Sequence, residues 1–291
     1  MSAAVGTSSP RRARRREALP VLQYFVLTYL WTWGLWWAAA ASGGSFGEPT
    51  VLLLFVTGGL GPLAGASWVV RRRGPSYRRE FLRRVWDPRR IPAAWWLALV
   101  AVATGPALVG AAVTRVTGTA ATVPDHGVEA VAGVVVFALA AGLVEEPGWR
   151  GAASDAWQAT TRPLLAATGI GTLWALWHLP LYFVDGSYQH GLEFGSLRFW
   201  LTNLVLVQLG VLYLWLANGS RGSILVPILA HAGFNVAGEL VPRSTTGDVV
   251  AFLVVTVATV VVVVTTRGRL ELDVAGRRGS EPARSASVDD E

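Results

Sequence analysis

Residues 128–151 read VEAVAGVVVFALAAGLVEEPGWRG. The run Val128–Glu146 is apolar and close to the ~20 residues that a helix needs to cross the hydrocarbon core of a bilayer. It then passes straight into two carboxylates, a proline and an arginine. Seven similar runs flank it: Val21–Ala41, Val51–Val70, Ile91–Thr114, Leu164–Val184, Leu197–Ala217, Ser223–Leu240 and Val249–Thr266. With 52% hydrophobic and 15% charged residues the chain is apolar for a soluble domain. Buried helices of one large soluble core are the alternative, and the length and number of the runs argue against it. The expected architecture is all-α, a polytopic integral membrane bundle of about eight transmembrane helices. The membrane domain is expected over 21–266, between a basic disordered tail at 1–20 and a second disordered tail at 267–291.

The formal net charge is +6, and all 25 basic residues are arginines. The runs Arg11–Arg16 and Arg71–Arg84 would suit a nucleic acid, but the positive-inside rule accounts for them without one. With the N-terminus inside, only Arg115, Arg198 and Arg243 fall on the outer side and the other 22 on cytoplasmic segments. Both termini are therefore expected in the cytoplasm, in the plasma membrane of the cell, with no nucleic-acid partner. The outer connections Ser42–Thr50, Arg115–Gly127, Asp185–Ser196 and Val241–Asp248 are too short for an external domain. The absence of cysteine removes disulfides, a thiol nucleophile and Cys-ligated zinc. The first run is long, Trp-rich and preceded by a basic tail, so it reads as a retained helix, not a cleaved leader. Tyr77, Phe81, Leu82, Val85 and Trp86 interleave with the arginines of 71–90. This pattern suits either a helix lying on anionic membrane lipids or a plain cytoplasmic loop.

Ionisable side chains inside membrane spans are costly unless paired or hydrated, so each is a functional candidate. The fourth run ends in Glu145-Glu146-Pro-Gly-Trp-Arg150, the fifth contains His178, and the seventh contains His231 and Asn235. Adjacent helical residues point ~100° apart, so Glu145 and Glu146 cannot serve one site equally. Glu146 and Arg150 are four apart and share a face as an ion pair, which leaves Glu145 free to face the bundle. His231 and Asn235 share a face in the same way. A carboxylate, two imidazoles and an amide from three helices make up a hydrolytic centre, with a base, a water partner and an oxyanion clamp. The alternatives are a solvated cap for the carboxylate pair and ordinary interhelical hydrogen bonds for the histidines. Trp149, Trp174 and Trp177 read as packing or interface aromatics. Counting along the runs at 1.5 Å per residue puts His231 about 12 Å below the cytoplasmic surface, His178 deeper and Glu145 shallower.

These residues resemble the CAAX protease and bacteriocin-processing family (CPBP, also called Abi), which includes the Ras-converting CAAX endopeptidase. Its motifs are E-E-x-x-x-R, F-x-x-x-H and H-x-x-x-N or H-x-x-x-B. The first is complete as Glu145-Glu146-Pro-Gly-Trp-Arg150 and the third as His231-Ala-Gly-Phe-Asn235. In the second, His178 is present and Trp174 stands where the family has Phe, a departure that bears on the packing beside the histidine. The resemblance covers 128–240. It implies an intramembrane endopeptidase in which Glu145 with His178 holds and deprotonates a water. His231 and Asn235 would clamp the oxyanion, and Glu146 and Arg150 would brace the site. No cofactor is implied, and the substrate would be a membrane-embedded or lipid-anchored peptide. A zinc-dependent membrane protease, a catalytically inactive immunity or scaffold protein, and a proton-coupled transporter remain the competing readings.

Overall fold

The computed structural model describes residues 10–121 and 127–271. The outer parts of the two expected tails, 1–9 and 272–291, and part of the Arg115–Gly127 connection lie outside the described residues. The described residues form α1 (Pro10–Ala41), α2 (Pro49–Gly59), α3 (Gly61–Arg72), α4 (Pro75–Trp86), α5 (Ala93–Thr117), α6 (Val128–Glu146), α7 (Ser154–Gln158), α8 (Pro163–Trp177), α9 (Leu197–Gly219), α10 (Leu225–Leu240) and α11 (Thr245–Thr265). No β-strand occurs among them.

All eight apolar runs are helical, but among the described residues six segments are long and apolar enough to cross a membrane. These are Pro49–Arg72, Ala93–Thr117, Val128–Gln158, Pro163–Phe183, Leu197–Gly219 and Thr245–Thr265. The two remaining runs fall short for different reasons. In α1 the apolar stretch is diluted by Gln23, Thr28, Thr32 and several Tyr and Trp residues. α10 has only 16 residues, about 24 Å of helix against a core of about 30 Å. α1 also starts at Pro10, eleven residues before Val21, inside the expected disordered tail. Proline suits a first helical position, and the Arg, Ala and Glu that follow are strong helix formers.

α10 is the inner helix, packed against α5, α6 and α9. Val226, Ile228 and Ala230 on it are all buried. Its crossing with α6 is set by Gly142, where an added Cβ would stand 2.6 Å from the Ile228 carbonyl oxygen. One turn further along each helix, this close approach brings the Glu145–Glu146 end of α6 beside His231. The outside of the bundle carries exposed Leu53, Leu97, Val136, Phe137, Trp200 and Val257, an apolar surface that lipid would cover. The 71–90 segment is helical, as α4, with Phe81 and Val85 buried against the bundle and Leu82 and Trp86 exposed.

Candidate active site

The Glu145–Arg150 motif does not end its helix. Pro147 has no amide hydrogen to offer the preceding turn and its ring crowds the carbonyl there, so a regular α-helix cannot continue unchanged. Residues Pro147–Ala153 form a π-helical turn instead, and α7 carries the helix on to Gln158. Wide turns of this kind recur at functional sites. A side chain at Gly148 would meet the Tyr24 hydroxyl at 2.4 Å and the Pro62 carbonyl at 2.8 Å, so this turn packs directly on α1 and α3.

This geometry removes the expected difference in depth. Glu145 lies about 20 Å from the Gln158 end of its segment, and His178 lies about 22 Å from Pro163. Ile224, just before α10, touches the space beside Gly151, and His231 follows seven residues later. α10 thus begins inside the bundle, and its histidine returns to the level of the two glutamates. His178 occupies the C-terminal cap of α8 instead of the middle of a span, because Pro180 stops the α-helix and a 3₁₀ turn, Leu179–Phe183, follows.

Glu146 is fully buried, and its Oε1 accepts hydrogen bonds from Arg150 Nη1 at 3.0 Å and His231 Nδ1 at 2.8 Å. A carboxylate only accepts, so His231 carries its hydrogen on Nδ1 and its Nε2 is directed away from Glu146. The Arg150 guanidinium is 1% exposed and lies between two aromatic faces, 4.5 Å from the Trp174 ring and 5.0 Å from that of Tyr213. Glu146 therefore closes a three-residue node with Arg150 and His231, where the sequence suggested a pair.

Glu145 is bound separately. Its Oε2 accepts from the indole Nε1 of Trp174 at 2.7 Å. The Trp174 carbonyl accepts from His178 Nδ1 at 2.8 Å, which leaves His178 Nε2 as the ring nitrogen with a lone pair. The Trp174 ring also lies 5.3 Å from the His231 ring and 6.0 Å from that of His178. Trp174 thus stands at the centre of the constellation and holds both Glu145 and His178, a role that its reading as a packing aromatic missed. The one available signal was its presence where the family motif has Phe. Trp149 and Trp177 do pack as aromatics, ring to ring at 5.9 Å. Tyr213, which stacks on His231 at 6.2 Å, had no signal within the apolar run of α9. Asn235 lies one turn beyond His231 on α10 and is half-buried.

Residues 127–237 match the family model described as Type II CAAX prenyl endopeptidase Rce1-like. The similarity to the CAAX protease family lies in this stretch. It contains Glu145, Glu146, Arg150, His178, His231 and Asn235 together. A similar relative is the CAAX prenyl protease 2 of Methanococcus maripaludis, 35% identical over 108 residues, which are 37% of this chain and 40% of the relative. The chain therefore spans about two fifths of the length of that CAAX protease. α1 to α5 and α11 lie outside the family match, yet α1 and α3 pack against its π-turn and α5 against α10. Among the described residues, no three His, Asp or Glu side chains gather as a metal-ligand set.

Proposed function

We propose that this protein is an intramembrane endopeptidase that hydrolyses a peptide bond of a membrane-embedded or lipid-anchored substrate. The observation that carries this reading is the double hold of Trp174 on Glu145 and His178. It ties a carboxylate base and an imidazole with a free Nε2 to one residue. In the proposed reaction Glu145 takes a proton from a water that His178 Nε2 orients. The water oxygen bonds to the scissile carbonyl carbon, and the developing oxyanion is stabilised by Asn235 and by His231 Nε2–H. The carbon–nitrogen bond then breaks as Glu145 returns its proton to the leaving amine. In the doubly protonated imidazole both ring nitrogens donate, Nδ1 to Glu146 and Nε2 to the oxyanion.

The unpartnered polar atoms around the site are consistent with hydrolysis. Glu146 Oε2, Arg150 Nε, Arg150 Nη2 and the hydroxyls of Tyr24 and Tyr213 are buried without a protein partner. Buried polar atoms of that kind are ordinarily satisfied by ordered water. No metal ion has a step in this scheme. The arginine distribution supports a plasma-membrane protein with both termini and the site opening on the cytoplasmic side. The name of the archaeal relative makes a prenylated C-terminal peptide the first substrate to try.

The experiment uses purified full-length protein in detergent. It is given a quenched-fluorescent peptide bearing a farnesylated cysteine three residues from its C-terminus, and the same peptide without the lipid. Cleavage identified by mass spectrometry, absent in Glu145→Gln, is the expected result. Cleavage that persists in Glu145→Gln would overturn the assignment of the base.

A further inference from the structure

The two halves of the candidate site come from segments far apart in sequence. The end of α6 and the π-turn supply Glu146 and Arg150, and α10 supplies His231 and Asn235. Both segments leave the bundle on the same side, and there both are bound by α4, which lies outside the family match and outside every motif.

Arg84 makes most of these bonds. Its Nη1 and Nη2 donate to Asp155 Oδ2 and Oδ1 at 2.6 and 3.0 Å, a bidentate pair with the first turn of α7. Its Nε donates to the carbonyl of Gly222 at 2.5 Å, and its own carbonyl accepts from the amide of Ile224 at 2.8 Å. Asp155 lies five residues past Arg150, and Ile224 lies seven before His231. Tyr77, on the same face of α4, donates to Asp155 Oδ2 at 2.6 Å. The Phe81 ring sits directly over Gly151. The Arg84–Asp155 pair is mostly shielded, with side chains 14% and 19% exposed, so it is screened less than a surface ion pair.

Glu146 and His231 meet through a single carboxylate oxygen, and a site of this kind loses rate steeply when its parts shift by about 1 Å. Arg84 ties together the outer ends of the two segments that bring those residues together. The donors keep their protons across the ordinary pH range. Burial, and then the Asp155 carboxylate, push the Tyr77 phenol above its ordinary value; burial lowers the Arg84 guanidinium but Asp155 outweighs it and raises it.

We infer that α4 is a clamp in which Arg84 and Asp155 act as positioning residues, holding the π-turn segment and the start of α10 in the register that joins Glu146 to His231. This rests on the proposed peptidase activity for its kinetic arm only. In that arm Arg84→Gln and Asp155→Asn should each lower kcat on the farnesylated peptide about 10- to 100-fold, with KM within about threefold. The double variant should be little worse than the worse single variant, since both cut the same link. Tyr77→Phe, which removes one hydrogen bond, should cost only a few-fold, and Arg84→Lys should recover part of the loss. Arg78→Gln, on the exposed face of α4, should leave turnover unchanged.

The second arm needs no substrate. Amide hydrogen exchange on the full chain should quicken in Arg84→Gln over 150–158 and 219–228 and stay at the wild-type rate in α11. If the wild-type protein cleaves nothing, the peptidase reading fails while this arm still judges the clamp. Unchanged exchange at 219–228 in Arg84→Gln would overturn the clamp. So would quickened exchange throughout the bundle, which marks a residue of general stability. In that case Tyr77→Phe should likewise show no localised change.

Discussion

Two helix contacts in this bundle solve the problem of buried polarity in opposite ways. Where α5 meets α11, small residues close on one another and each hydroxyl is used. Thr114 Oγ1 donates to the Gly110 carbonyl at 2.9 Å and pairs with Ser244 at 2.7 Å, while Ser244 Oγ caps the amide of Gly247 at 3.0 Å. An added Cβ on Gly110 would lie 2.5 Å from the Gly247 carbonyl. Where the end of α6 and the π-turn meet α8, α9 and α10, large polar and aromatic groups gather instead. There Glu146, Arg150 and Tyr213 keep buried atoms without protein partners. The first contact is fully satisfied by the protein and serves packing. The second leaves hydrogen-bonding capacity that ordered water can fill, which the proposed hydrolysis requires and a packing interface has no use for.

The sharpest way to break this contrast is at Glu145. Glu145→Gln is nearly isosteric and can still accept from Trp174, so insertion and abundance should stay at wild-type levels. Turnover should fall by 10³-fold or more, at the upper end of what a general base contributes. Steady-state cleavage of the lipidated peptide measures the fall, and wild-type turnover in this variant would remove the base from the scheme.

Glu146→Gln should behave differently. It leaves Arg150 charged and buried without its carboxylate, a change that costs about 3–5 kcal/mol in buried pairs. Abundance in the membrane should drop before kinetics can be compared, as a blot and a thermal melt would record. If the two glutamine variants fold alike and lose activity alike, the division of labour between the carboxylates is wrong.

At the packing contact, Gly247→Ala should destabilise the bundle by roughly 1–3 kcal/mol through overpacking against Thr114. The kcat of the folded fraction should not change. A lowered kcat in that fraction would mean that the two contacts are coupled.

Trp174→Phe restores the aromatic that the family motif carries, removes the N–H that holds Glu145 and leaves a smaller ring beside Arg150. A loss of about tenfold in kcat is the expected size for one net hydrogen bond at a site, with a modest fall in melting temperature from the smaller buried ring. The smallest expected effect is none at all. Dialysis of the purified protein against EDTA should leave turnover intact. Activity lost to the chelator and restored by zinc would replace the glutamate scheme with a metal-activated water.

Much of this was legible in the sequence because membranes restrict it so strongly. Run length announced the helices, and the scarcity of ionisable residues within them singled out Glu145, Glu146, His178 and His231, with Asn235 marked by its i, i+4 spacing from His231. The i, i+4 spacing of Glu146 and Arg150 pairs them at 3.0 Å in the structure, because both ends of that contact lie on one local turn. Three further features depended on residues distant in sequence. The capture of His231 by Glu146 spans 85 residues, and the bond from Trp174 to Glu145 spans 29. The matching depth of the two segments requires α10 to begin within the bundle, level with Gly151. Periodicity describes which way a side chain leaves its own helix and carries nothing about how far a neighbouring helix is raised or lowered. That offset is set by close approaches such as Gly142 on Ile228, by the π-turn at Pro147 and by the hold of Arg84, and these exist only once the helices have packed.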